Sequence, residues 1–148
     1  MHQVSRSLGL ICADLFREPL FRIGLGIKFL MIIFLIPVIQ ENWFVPFIIN
    51  WIENPFSSPW TSHIAAGGDL LAFPYGITMF VFHLPATALG WIADRVIEVE
   101  YFSNFGFRFS LILADFLLLL VLIQTYEDFW KKIIIFYWLS PLVLFITY

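Results

Sequence analysis

Charged side chains are scarce in this chain. Of its 148 residues, 13% are charged and 61% are hydrophobic, and the mean hydropathy is +0.89. Soluble domains carry about 25% charged residues, so the composition argues against an ordinary soluble domain and predicts that the solvent of this chain is lipid. The formal net charge of −3 provides no basic surface of the kind that nucleic-acid binding requires.

Cysteine is also scarce, and the common catalytic motifs are missing. The single cysteine, Cys12, excludes an internal disulfide and a cysteine-based metal cluster. No glycine-rich phosphate loop, nucleophile elbow or His/Cys metal spacing occurs. We therefore expect no metal site and no cofactor in the chain itself, and leave open a divalent ion that accompanies a substrate.

Basic residues are absent from the segment 40–72, which holds three carboxylates and one histidine. The chain before it has four basic residues, Arg6, Arg17, Arg22 and Lys28. Because lysine and arginine are retained on the cytoplasmic side of membranes, the pattern predicts a cytoplasmic N-terminus and an external acidic loop 40–72. Lys28, near the start of the first apolar run, is expected to snorkel towards the cytoplasmic surface.

Long apolar runs predict an all-α integral membrane protein with about four transmembrane helices. An arm, 1–22, lies on the cytoplasmic interface or forms a loosely ordered tail. The spans are expected at about 23–39, 73–92, 109–126 and 133–148, and short interfacial helices are expected in the loop 40–72. The last run is still apolar at Tyr148, which suggests the N-terminal portion of a longer protein; a genuine four-helix protein is the alternative.

The sequence leaves open on which side of the membrane the turn 127–132 lies. If every apolar run spans, the segment 94–108 returns to the cytoplasm and this turn lies outside, where Lys131 and Lys132 are unfavourable. Either the first span dominates the orientation, or the segment around Phe73 enters the membrane without crossing it.

Two loop carboxylates are candidate catalytic bases. Asp69 precedes the second apolar run at the expected water–membrane boundary, where partial desolvation makes a carboxylate a better base; its alternative role is a helix N-cap. Glu53 follows Trp51 and Ile52, and its alternative is a solvated loop acid. His63 is a candidate for phosphate binding or proton donation, or is simply exposed.

Besides Lys28, one carboxylate and one histidine fall within the expected spans. Asp115 is costly there, at about 2.5–3.5 kcal/mol on insertion scales, and must find a partner or be protonated. Arg108 lies about two helical turns away, too far for a tight pair. His83 lies mid-span. Both are candidates for structural or coupling roles.

Four motifs taken together resemble the membrane glycosyltransferases of the GT-C class. They are the basic arm followed by one span and an acidic loop; the aromatic–proline segment 72–79 (AFPYGITM); the segment 108–115 (RFSLILAD); and the segment 136–142 (FYWLSPL). The chain departs from the class in having no pair of adjacent acidic residues in its first loop.

The resemblance implies a sugar transferred with inversion from a polyprenyl-phosphate donor to a hydroxyl acceptor. It implies Asp69 or Glu53 as base, His63, Tyr75 and Trp60 as substrate contacts, and membrane lipid and the lipid-linked sugar as partners. The bacterial inner membrane is favoured over the endoplasmic reticulum, since the first loop has no N-glycosylation sequon. The alternatives are a non-catalytic membrane subunit or scaffold, and a transporter fragment that uses His83 and Asp115. The oligomeric state stays open.

Overall fold

The computed structural model describes residues 7–147, with side chains as far as Leu144. Every regular element in that range is helical, so the predicted all-α class is confirmed. Arg6 and Tyr148 lie outside the described residues. The helices are α1 (Leu8–Arg17), α2 (Pro19–Phe34), α3 (Val45–Glu53), α4 (Pro59–Ala65), α5 (Ile77–Ile97), α6 (Phe102–Thr125), α7 (Trp130–Ile133) and α8 (Pro141–Thr147).

Two of these helices, α5 and α6, are long and apolar enough to cross a membrane. They have 21 and 24 residues, with mean hydropathies of 1.3 and 2.3 in their most apolar windows. The core helix of a soluble domain passes the same test but is mostly buried, whereas only 17% of the α5 window and 39% of the α6 window are buried. The apolar surface that remains suits contact with lipid.

Helix bounds differ from the expected spans at both ends of the chain. The first apolar helix ends at Phe34 and not at about 39, because proline disfavours a helical conformation in the residue before it and Pro37 follows. The expected span 133–148 is divided by a non-helical break before Pro141, with a π-helical turn, Ile134–Trp138, in front of the break. Within residues 7–147, two helices and not four therefore meet the length and hydropathy of a span.

The chain divides into two compact units. Unit 1 comprises 1–31 and 112–148, and unit 2 comprises 32–111. Trp138 lies at the centre of unit 1, where its ring stacks on Phe21 with centroids 5.0 Å apart and its Nε1 donates a hydrogen bond to the Phe21 carbonyl at 3.0 Å. A Cβ at Gly24 would clash with the Trp138 ring, so this glycine permits the contact.

Unit 2 is held by an aromatic core and a close helix pair. The core residues are Val45, Phe47, Ile48, Phe73, Phe80 and Phe107. Helices α5 and α6 approach so closely that a Cβ on Gly90 would overlap the Phe102 carbonyl and one on Gly106 would overlap the Ala86 carbonyl. Small residues permit such backbone contact between helices in membranes.

The segment between α2 and α5 contains the short helices α3 and α4. Pro46 and Pro59 stand in their first turns, where a missing N–H leaves no helical hydrogen bond unmade. A π-helical turn, Gln40–Phe44, leads directly into α3. One face of α3 enters the aromatic core through Phe47 and Ile48, and the opposite face is left to line a groove.

Candidate functional site

A polar groove of about 950 Å³ lies in unit 2. One wall is the turn before α3 together with one face of α3 along its length, and the other is the end of α5, the α5–α6 connection and the start of α6. The groove is lined by Glu41, Asn42, Val45, Pro46, Ile49, Asn50, Glu53, Trp91, Asp94, Arg95, Glu98, Val99, Glu100, Ser103 and Asn104. Five of these residues are carboxylates and one is a guanidinium, a formal balance of −4.

Glu53 and Arg95 form an ion pair across the groove. Arg95 Nη2 lies 2.5 Å from Glu53 Oε1, and the two side chains are 66% and 40% exposed for arginine and glutamate respectively. An exposed pair of this kind contributes about 0.2–1 kcal/mol. A ligand that enters the groove can therefore separate these two side chains at low cost.

Asp94 has a different role at the far wall. Its carboxylate accepts the backbone N–H groups of Tyr101, Phe102 and Ser103 at 3.0, 2.6 and 2.8 Å, and also the Ser103 hydroxyl. These N–H groups begin α6 and have no partner within the helix. Asp94 therefore shapes the groove by fixing the α5–α6 connection, in which Glu98 adopts a left-handed conformation at φ 58°.

Two polar atoms of the groove residues are buried with no hydrogen-bond partner in the described part of the chain. They are Trp91 Nε1, a donor, and Asn104 Oδ1, an acceptor. A buried polar atom without a partner costs about 1–3 kcal/mol.

Asp69 lies away from the groove. Its Oδ1 accepts the N–H of Leu71 at 2.7 Å, which closes a turn two residues long. Because α5 begins at Ile77 with Gly76 as its N-cap, the suggested capping of the second long helix by Asp69 is wrong. Asp69 caps a local turn, and its exposed side chain is separate from Glu53.

His63, Trp60 and Tyr75, expected to contact substrate, belong to the aromatic packing and do not line the groove. Trp60 Nε1 donates to the Phe73 carbonyl at 3.3 Å. Tyr75 packs edge-on against Phe73 with centroids 5.6 Å apart. His63 is buried against Phe47, 5.2 Å between centroids, so its expected exposure is wrong.

Burial lowers the pKa of His63 below the usual 6.5, and the charge of Asp69 opposes this shift only in part. At a pH between the lowered pKa of His63 in the folded chain and its usual pKa in the unfolded chain, the unfolded chain binds a proton that the folded chain does not. We therefore expect stability to fall as the pH drops below about 6.5, by at most about 1.4 kcal/mol per pH unit. Thermal unfolding in detergent between pH 5 and 8 tests this; the loss should be smaller in His63→Gln than in the wild type, and an equal loss in the variant contradicts it.

Asp115 and His83 each have a partner within their own unit. Asp115 Oδ2 lies 2.7 Å from Lys28 Nζ, and its Oδ1 accepts the Tyr137 hydroxyl at 3.2 Å. Lys28 is fully buried, so its expected snorkelling to the surface is wrong. His83 shares a hydrogen bond with Ser110 and stacks on Phe107. Asp115 belongs to unit 1 and His83 to unit 2.

Sequence reasoning missed Arg95 and Asp94 as groove residues and Lys28 as the partner of Asp115. Arg95 meets Glu53 across 42 residues and Lys28 meets Asp115 across 87. No local pattern signals pairs so distant along the chain. For Lys28 the only available signal was the need of a membrane-embedded carboxylate for a cation.

No cluster of three or more His, Cys, Asp or Glu residues that could hold a metal ion occurs among residues 7–147. No protein-family model, curated protein or solved structure matches the chain significantly. The residues of the groove therefore carry the functional proposal.

Proposed function

We propose that this chain contributes an acceptor-binding groove to a membrane glycosyltransferase of the GT-C kind, an enzyme that transfers a sugar with inversion from a polyprenyl-phosphate donor to a hydroxyl acceptor. The observation that carries the proposal is the polar groove with Glu53 at its rim. A carboxylate at the rim of a polar cavity, held by an exposed ion pair, has the arrangement that a general base for a hydroxyl requires.

The charge of the groove favours the acceptor over the donor phosphate. A formal balance of −4 repels a phosphate group and accommodates neutral, hydroxyl-rich molecules. In the proposed step, the Glu53 carboxylate takes the proton of the acceptor hydroxyl as its oxygen attacks the anomeric carbon. The bond from that carbon to the phosphate oxygen breaks, and the polyprenyl phosphate leaves with the electron pair.

Glu53→Gln is expected to reduce glycosyl transfer by about 10²–10⁴-fold, the usual contribution of a general base. Glutamine keeps the size and a hydrogen bond to Arg95 but cannot accept the proton. The measurement is transfer of labelled sugar from a polyprenyl-phosphate donor in membranes that carry the protein, normalised to its abundance. Glu18→Gln, outside the groove, serves as the matched control.

Asp69→Asn tests which of the two candidate bases predicted from the sequence, Asp69 or Glu53, accepts the proton. With Asp69 in a turn, asparagine can still accept the Leu71 N–H, so we expect the rate to stay near that of the wild type. Loss in Asp69→Asn with full activity in Glu53→Gln moves the base to Asp69. Unchanged transfer in both variants removes the catalytic assignment.

A non-catalytic membrane subunit is the second candidate. The observation in its favour is that Asp115 and His83 are both satisfied by partners in helix packing. In that case changes at Glu53 are silent, while changes at Lys28 or Asp115 reduce assembly and abundance.

A further inference from the structure

Trp91 gives the groove of unit 2 an aromatic wall beside its carboxylates. The guanidinium carbon of Arg95 lies 5.3 Å from the centre of the Trp91 ring, and the same guanidinium meets Glu53 Oε1 at 2.5 Å. A cation over the face of an indole ring is attracted by the electrons of the ring. Arg95 therefore occupies a position in the groove that offers a positive group both an aromatic face and a carboxylate.

Arg95 is held only weakly in that position. Its side chain is 66% exposed, and both ion pairs and contacts of a cation with a ring are weak where water reaches them. A cationic ligand that fits the groove can therefore take the place of this guanidinium. The ion pair of Arg95 with Glu53 then breaks, and Glu53, the proposed base, loses the hydrogen bond that Arg95 donates to it.

The groove holds more negative charge than Arg95 neutralises. Asp94 is committed to the start of α6 and Glu53 to Arg95. The exposed carboxylates of Glu98 and Glu100 form no ion pair or hydrogen bond with another described residue. A neutral ligand leaves the formal balance of −4 uncompensated, whereas a ligand that carries a positive charge offsets part of it.

The apolar part of the lining favours an organic cation over a metal ion. Pro46 and Ile49 on α3 line the groove together with Trp91, and their hydrocarbon surfaces suit methyl and methylene groups. A divalent metal ion requires several oxygen ligands that converge on one point. Within the described range 7–147, no group of three His, Cys, Asp or Glu residues is arranged in that way.

We infer that the acceptor carries an alkylated ammonium group, which displaces the Arg95 guanidinium from the face of Trp91. Aromatic rings are the usual partners of such groups in proteins. Arg95 is then an internal competitor that leaves its position when the acceptor enters the groove. The inference rests on the proposed function, because it names the chemical class of the acceptor that the groove takes.

Binding of labelled choline tests the inference, because choline carries a quaternary ammonium group and a hydroxyl group. Its isostere neohexanol has carbon in place of the nitrogen and therefore has the same shape without the charge. The full chain is purified in a maltoside detergent, which has no choline headgroup, and binding is measured by equilibrium dialysis. We expect neohexanol to compete with labelled choline about fivefold less effectively, or worse, than unlabelled choline does.

Arg95→Gln is the most informative variant, because it removes the internal competitor and changes the formal balance of the groove from −4 to −5. We expect it to bind choline about two- to fivefold more tightly than the wild type. Arg22→Gln, at an exposed position that does not line the groove, makes the same change in net charge and should bind choline as the wild type does. Trp91→Leu, with its helical content checked by circular dichroism, should bind choline about two- to fivefold more weakly.

Competition by neohexanol as effective as that by choline overturns the inference, as does Arg95→Gln that binds choline no more tightly than Arg22→Gln. Displacement of choline by Mg²⁺, where sodium at equal ionic strength has no effect, overturns it in favour of a metal ion. No sugar is transferred in this measurement. Choline binding together with full transfer in Glu53→Gln therefore contradicts the catalytic proposal alone, and transfer that depends on Glu53 without choline binding contradicts only the class of the acceptor.

Discussion

Replacing Lys28 by methionine is expected to lower the free energy of unfolding by about 3–5 kcal/mol. Lys28 Nζ lies 2.7 Å from Asp115 Oδ2, and the two side chains are 0% and 13% exposed. Methionine retains most of the volume but removes the cation, so a buried carboxylate loses the charge that compensates it. Denaturant unfolding of the detergent-solubilised protein, followed by tryptophan fluorescence, measures the loss.

The double variant Lys28→Met/Asp115→Leu distinguishes charge from packing. Removing both members of a buried ion pair is often neutral or stabilising, because the cost of desolvating each charge disappears with it. We expect the double variant to recover most of the stability lost in Lys28→Met. Lys132→Met, at an exposed position, should stay within about 0.5 kcal/mol of the wild type. A double variant as unstable as Lys28→Met, or a Lys28→Met variant as stable as Lys132→Met, contradicts the assignment.

Gly90→Val is expected to produce the second large loss, of about 1–3 kcal/mol or more, through separation of α5 and α6. Even a Cβ at Gly90 would overlap the Phe102 carbonyl and crowd the Cα of Ser103 at 2.8 Å. These are backbone atoms, which cannot turn aside as a side chain does. Because Phe102 begins α6, the displacement would also strain the hydrogen bonds that Asp94 makes to that end of the helix. Unfolding in detergent measures the loss of stability. Binding of the proposed acceptor in the groove should also become weaker.

Gly26→Val is the matched control. Gly26 lies in α2 with no atom within 4 Å of the position a Cβ would take. The same side chain is added to a helical glycine in each case, so intrinsic helix propensity is shared and the difference reports helix contact. Equal stability of Gly26→Val and Gly90→Val would show that α5 and α6 do not approach as closely as described.

Helical content and the long apolar helices were predictable from the sequence. The expected span 73–92 corresponds to α5, Ile77–Ile97, and the expected span 109–126 corresponds to α6, which begins seven residues earlier than expected, at Phe102. Hydropathy predicts the apolar middle of a helix well but predicts the ends of the helix poorly, because a helix continues as long as its backbone carbonyls find hydrogen-bond donors. Thus α5 extends through Asp94 and Arg95 to Ile97, charged positions that had been assigned to a loop.

The candidate site was only partly predictable. Glu53 was singled out and does line the groove, whereas Asp69, with similar local features, closes a turn. His63, Trp60 and Tyr75 were selected for their chemistry, but aromatic packing uses all three. An aromatic residue in a loop has the same appearance in sequence whether it binds a ligand or fills a core.

The sequence by itself predicted lipid as the solvent of this protein and predicted the all-α class, which the structure confirms. Hydropathy and charge are properties of single residues, and their averages over about 20 positions survive any arrangement of the helices. Only the tertiary structure showed the groove, the pairing of Lys28 with Asp115, and the contact between the start of α6 and the segment after α2. Those features depend on contacts between residues 42, 73 and 87 positions apart. The hydropathy and charge of neighbouring residues do not indicate which distant residues will make such contacts.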